Sequence, residues 1–224
     1  GNLNFSLPLA SAMGRNGASL AFRLSYNSQL WRKDPAATWK LGRDIGFGYG
    51  WRFQVGSITP YWEGPFTIHH YTFIDSTGAE YRLDQPDANN EKWTSREGIY
   101  LTYDRVTQRL YFPDGSFWYM GCVSAGTEQD AGTRYPTVIQ DSNGNQILLS
   151  YKNGVGTAWD NSSARIWRVD DVRSVLNNGV YWTYRMNYNT DSLPHLTSVY
   201  SYIGTPGYEI YYTSSQTLYS PFTP

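Results

Sequence analysis

Four groups of side chains in this chain carry reactive or binding chemistry. The first is a set of carboxylates, Asp75, Asp104, Asp114 and Asp141. Two acids flanking a sugar bond can run glycoside hydrolysis, so a β-rich glycoside hydrolase is one reading. Each of these acids also sits in a turn signature. Asp75-Ser76-Thr77-Gly78 and Asp141-Ser142-Asn143-Gly144 both read D-x-x-G, and Asp114-Gly115 reads as a two-residue type I′ turn. An Asp there accepts from the backbone N–H two residues on, and Gly78, Gly115 and Gly144 supply the left-handed backbone that closes the loop. The turn accounts for each acid without catalysis. Asp170-Asp171 follows a strand and is again turn-like.

The second group is His69-His70, with His195 far away in sequence. Neighbours on a strand face opposite sides, so the two imidazoles are not expected to share an ion, and no Cys or carboxylate nearby completes a metal-site spacing. The third is Cys122, the single cysteine, which excludes an internal disulfide and has no sequence-local activating partner. It reads as a small semi-buried thiol. The fourth is aromatic: Trp31, Trp39, Trp51, Trp62 and Trp93 offer ring faces for sugars, as in a carbohydrate-binding module. Cross-strand pairing explains the same rings and is the preferred reading. Gly42, Gly46, Gly48 and Gly50 suggest a phosphate cradle, but no helix follows them. Neither a G-x-S-x-G elbow nor a phosphate-binding P-loop occurs. Asn4-Phe5-Ser6 and Asn161-Ser162-Ser163 fit the short N-glycosylation pattern. The expectation is a chain with no catalytic, cofactor or metal residues.

The elements that carry these groups are strands. Of 224 residues, 20 are Tyr, 9 Trp and 9 Phe, types that suit pleated, half-buried surfaces, and 21 are Gly. Apolar residues at helical spacing never persist for three turns, while alternating runs recur: Leu3, Phe5, Leu7, Leu9; Leu20, Phe22, Leu24, Tyr26; Ile147, Leu149, Tyr151. Short turns join nearly all of them, which predicts an antiparallel meander of consecutive hairpins rather than a parallel sheet. Trp31–Gly50, Gly121–Arg134 and Thr157–Ser163 read as loops, the second an exposed excursion. A net charge of −1 without a basic run excludes the footprint of a nucleic-acid binder, and no apolar run is long enough to span a membrane. The chain opens on Gly1 and closes on Ser220-Pro221-Phe222-Thr223-Pro224, and so reads as a processed product or an excerpt.

In order, several phrases resemble the RHS/YD-repeat family of bacterial proteins. Gly1-Asn2-Leu3-Asn4-Phe5-Ser6-Leu7-Pro8-Leu9 is similar to the strand that opens that family's repeat region. Leu24-Ser25-Tyr26-Asn27-Ser28 and Gly48-Tyr49-Gly50-Trp51 resemble its "YnS…G.GW" pattern. Asp75-Ser76-Thr77-Gly78, Phe112-Pro113-Asp114-Gly115-Ser116 and Asp141-Ser142-Asn143-Gly144-Asn145 are similar to its hairpin turns. The resemblance implies a curved or spiralling sheet, in one β-rich domain over Gly1–Pro224. It also implies a structural, non-enzymatic role in a secreted or cell-surface bacterial protein, as part of a toxin-enclosing shell or an extracellular assembly. Implied partners are the rest of its own chain or further copies, met by β-edge pairing, with an enclosed toxin or a glycan as possible cargo or ligand. The chain departs from the family in lacking its regular YDxxGRL core, and Asp34-Pro35 is followed by alanines where the family's self-cleavage signature reads DPxGL.

Overall fold

A computed structural model describes residues 3–13, 19–33, 38–96, 98–154, 162–171, 184–201, 207–213 and 219. Those residues form strands and turns, with no helix among them. Residues 157–161 and 177–183, which carry part of one expected loop, an expected turn, the start of an expected strand and Asn161, lie outside the described residues.

The chain opens with β1 (Asn4–Met13) and β2 (Ser19–Asn27), an antiparallel pair. Leu3, Phe5 and Leu7 stay exposed, while Leu9, the extra residue of a bulge between Pro8 and Ala10, is buried with Phe22. The stretch read as one long loop contains a small pair, β3 (Trp31–Lys33) and β4 (Trp39–Leu41). It then packs Ile45 and Phe47 into the core before β5 (Trp51–Gln54) pairs with β2. The order β1-β2-β5 leaves the outer edge of β1 unpaired within the described sheet.

A meander follows: β6 (Gly56–Glu63), β7 (Thr67–Asp75), β8 (Glu80–Pro86), β9 (Lys92–Ser95), β10 (Thr102–Asp104), β11 (Arg109–Tyr111) and β12 (Phe117–Tyr119). Each pairs antiparallel with the next. Inward residues of these strands and of the positions beside them, Ile58, Tyr71, Phe73, Leu83, Trp93, Leu101, Tyr103, Leu110 and Met120, form one cluster. Full burial of such side chains stabilises by about 1.5–3 kcal/mol each, before chain entropy is set against it.

β12 and the next three strands form one long hairpin. In β13 (Cys122–Val123), β14 (Arg134–Tyr135) and β15 (Val138–Gln140), Cys122 pairs Tyr135 and Val123 pairs Arg134. This is the register of Phe117 with Gln140 and Tyr119 with Val138. The ladder weakens only where Met120-Gly121 faces Pro136-Thr137, since proline brings no N–H. The tip reaches back across the molecule. Arg134 pairs Ile58 of β6, and Ser124 bridges Ser162 of β17 (Ser162–Asp171). The meander therefore curls far enough for its late hairpin to touch its first strand. The remaining strands, β16 (Gln146–Asn153), β17, β18 (Tyr184–Tyr188), β19 (Leu196–Ser201) and β20 (Tyr208–Glu209), continue the antiparallel order. With the first sheet they enclose a second cluster drawn from Leu9 to Val199, and Trp118 packs against both clusters.

The all-β antiparallel meander read from the sequence is what the structure contains. The stretch 121–134 is a correction. It is the tip of a hairpin, with Ser124, Ala125, Glu128 and Thr133 buried. Its small residues let it lie close under β6 and β17, and its charge is neutralised in place.

Candidate functional site

The acids are held by their own turns. Asp75 Oδ1 accepts from the N–H of Thr77 at 2.8 Å and of Ala79 at 3.1 Å, and from the Thr77 hydroxyl at 2.6 Å. Asp141 repeats the pattern with Asn143 N–H at 2.9 Å and Asn145 N–H at 2.8 Å, and its Oδ2 accepts from Asn145 Nδ2. Those bonds, the Asn145 amide first, hold the Asp141 carboxyl below the usual range. Gly78 and Gly144 take φ of 87° and 82°, where an L side chain is strained.

Asp114-Gly115 differs from the type I′ expectation. Only Gly115 is left-handed, Gly115 N–H donates to Phe112 O, and Phe112 N–H donates to Ser116 O. This is a three-residue loop, a turn followed by a left-handed glycine, the geometry that Asp75 and Asp141 also begin. Pro113 is the reason: it has no N–H to close a two-residue hairpin against Ser116 O, and its fixed negative φ suits the first corner of a type I turn. The Ser116 hydroxyl and N–H donate to Asp114 and lower its carboxyl pKa. At Asp104 burial pushes the pKa up, but bonds from Thr107 and Val106 outweigh it. Asp170 lies inside β17 rather than in a turn, and both its oxygens accept from Arg168 Nε.

Two charged contacts escaped the sequence reading. Asp44 Oδ1 accepts from the N–H groups of Gly46, Phe47 and Gly48 at 2.8, 3.2 and 3.0 Å. Its Oδ2 meets His195 Nε2 at 2.9 Å, across 151 positions. Burial raises this carboxyl, and His195 with the Gly46 and Gly48 amides brings it below the ordinary value. The spacing D-x-G-x-G was the available signal: the glycines let successive N–H groups converge on one oxygen. Glu128 and Arg165 form an ion pair at 2.8 Å with side chains 3% and 1% exposed. Nothing in the sequence marks partners 37 positions apart.

The histidines correct an expectation. Tyr61 pairs His70 while Trp62 pairs Ile68, so His69 is an extra residue in β7. Such a bulge breaks the alternation of faces. The two Nδ1 atoms stand 2.9 Å apart, the Tyr61 ring stacks on His70 at 4.8 Å, and Arg82 Nη2 lies 3.3 Å from His69 Nδ1. Burial, then Arg82 and His69, lower the His70 pKa against a partial pull from Asp84. Among the described residues no group of three or more His, Cys, Asp or Glu gathers as a metal site.

The tryptophans separate. Trp93 is buried beneath Tyr71 and donates Nε1–H to Asn90 O, so it presents no face to a ligand. Trp62 is exposed, and Trp31 and Trp39 sit half-buried on the β3–β4 pair. None of these four lines the cleft of 510 Å³ between the first sheet and β6–β7; Tyr26, Trp51, Arg52, Tyr61, Glu80 and Asp130 do. Cys122 is buried, its Sγ lies 3.4 Å from Ser163 O, and burial first of all pushes its pKa up to about 12, which disfavours a nucleophilic thiolate.

No protein-family model matches the chain, and no curated protein matches it. Among solved structures it is similar to a TcdB2–TccC3–Cdc42 complex, with 19% identity and a TM-score of 0.45 over 84% of this chain and 11% of that one. It is similar to the N-terminal domain of the effector protein SpvB from Salmonella typhimurium, with 13% identity and a TM-score of 0.44 over 83% of this chain and 72% of that one. A third is the Tc holotoxin pore of Photorhabdus luminescens, with 16% identity and a TM-score of 0.45 over 83% of this chain and 10% of that one. The chain thus spans about a tenth of the two toxin-complex chains it matches.

Proposed function

We propose that this chain is a structural, non-enzymatic β-module of a secreted or surface bacterial protein, built to form part of a shell or extracellular assembly. The observation that carries the reading is the use of its acids. Asp75, Asp104, Asp114 and Asp141 each commit Oδ1 to N–H groups of their own turn. The ordered resemblance to RHS/YD-repeat proteins supports the same reading. The outer edge of β1, flanked by exposed Leu3, Phe5 and Leu7, offers backbone groups to more of the same protein or another copy. Pro8 and the bulge after it limit that edge to its first half.

The test pairs two measurements. Asp75→Asn with Asp141→Asn lowers the melting temperature and removes no glycosidase activity from the purified chain; loss of a hydrolytic activity with unchanged stability would overturn the reading. Sedimentation at rising concentration shows association that Ser6→Pro in β1 abolishes, because the alternation that turns Leu3 and Leu7 towards β2 turns the Ser6 N–H outward; a monomer at every concentration counts against edge pairing.

A second reading is a carbohydrate-binding module, and the cleft favours it. Tyr26 and Trp51, with ring centroids 5.0 Å apart, line it beside Arg52, Glu80 and Asp130, the mix of ring faces and polar groups that holds sugars. Tryptophan fluorescence that ignores every polysaccharide tested would remove it.

A further inference from the structure

The bulge in β7 turns two consecutive histidines into a notch. His69 and His70 present their Nδ1 atoms to each other at 2.9 Å, and the stacked Tyr61 ring holds the His70 imidazole in place. That spacing suits one ion geometry. With metal–nitrogen bonds of about 2.0–2.1 Å, ligands at right angles stand about 2.9 Å apart, while tetrahedral ligands stand about 3.3 Å apart. We infer that His69 and His70 form a binding site for a divalent late transition metal of the copper or nickel class, bound through both Nδ1 atoms at neighbouring corners of a square or tetragonal shell. Water fills the remaining corners. Imidazole nitrogens suit such ions, whereas calcium and magnesium take oxygen ligands.

Without metal, Arg82 donates to His69 Nδ1, so that nitrogen is the acceptor and His70 Nδ1–H is the donor between the rings. Metal binding needs both Nδ1 lone pairs. The His70 proton moves through solvent to its own Nε2, so the two rings bind the ion as neutral tautomers with no net proton released. Arg82 must leave His69 as the ion enters. Its half-exposed side chain already lies 3.5 Å from Asp84, which receives it. Arg82 therefore opposes the ion by charge and by position.

The test is a Cu²⁺ titration of the intact chain by calorimetry, with electron paramagnetic resonance of the bound ion. The expected result is one ion per chain with hyperfine coupling to two imidazole nitrogens. His69→Gln and His70→Gln each weaken binding by about tenfold or more with the β-sheet circular dichroism unchanged. Arg82→Gln strengthens it, and His195→Gln leaves it as it was. Absence of binding, coupling to a single imidazole, or equal loss on His195→Gln would overturn the site.

Discussion

The meander β6–β12 and the region around β16–β19 are both antiparallel sheet, yet they are held differently. The first buries residues from Ile58 to Met120 in one cluster, and each strand meets the next through a turn that carries its own acid or left-handed residue. The second gathers residues from Leu9 to Val199 and depends on contacts that jump the chain. Asp44 reaches His195, Glu128 reaches Arg165, and Leu196 N–H donates to Gly46 O. One region is assembled by local chemistry repeated many times. The other is assembled by a few long-range clamps, each of which must close a large loop before it contributes.

Breaking a clamp has the largest expected effect. Glu128→Ala leaves the Arg165 guanidinium buried and unpaired, and is expected to cost about 3–5 kcal/mol in urea unfolding. Replacing both partners, Glu128→Leu with Arg165→Met, recovers most of that loss, because the pair's desolvation penalty disappears with it. Next comes Asp44→Ala, which strips the acceptor from three backbone N–H groups and is expected to cost about 1–3 kcal/mol. In the first region a single turn matters less. Gly78→Ala forces a left-handed alanine where space is open, a strain of about 1–2 kcal/mol seen as a lower urea midpoint.

The smallest effect is a pH dependence. Asp44, Asp114 and Asp141 have carboxyls held below their ordinary value of 3.8. A lowered carboxyl contributes stability that is full above its unfolded pKa and is lost as pH falls through its folded one. Stability is therefore expected to fall on acidification below about pH 4. Asp141→Asn should lower stability slightly at pH 7 and flatten that fall, so that its urea midpoint converges with that of the unaltered chain in acid.

What the sequence disclosed follows the same division. The hairpins were legible because alternation and D-x-x-G turns are local: the carboxylates of Asp75 and Asp141 bond nothing more than six and four residues away. Asp114-Gly115 was misread because Pro113 was left out, although its fixed φ selects the turn. The bulge at His69 has no glycine to announce it, so the faces of His69 and His70 were assigned by simple alternation. The tip around Glu128 looked exposed because it is small and polar. Its burial depends on Arg165, a partner set by the curl of the sheet and not by any neighbouring residue.

Amide hydrogen exchange on Glu128→Ala, compared with the unaltered chain, bears on this division most directly. If local turns hold one region and clamps the other, exchange quickens in β13, β14 and β17 while β8–β11 keep their protection. Equal acceleration in both regions, or none in either, would contradict it.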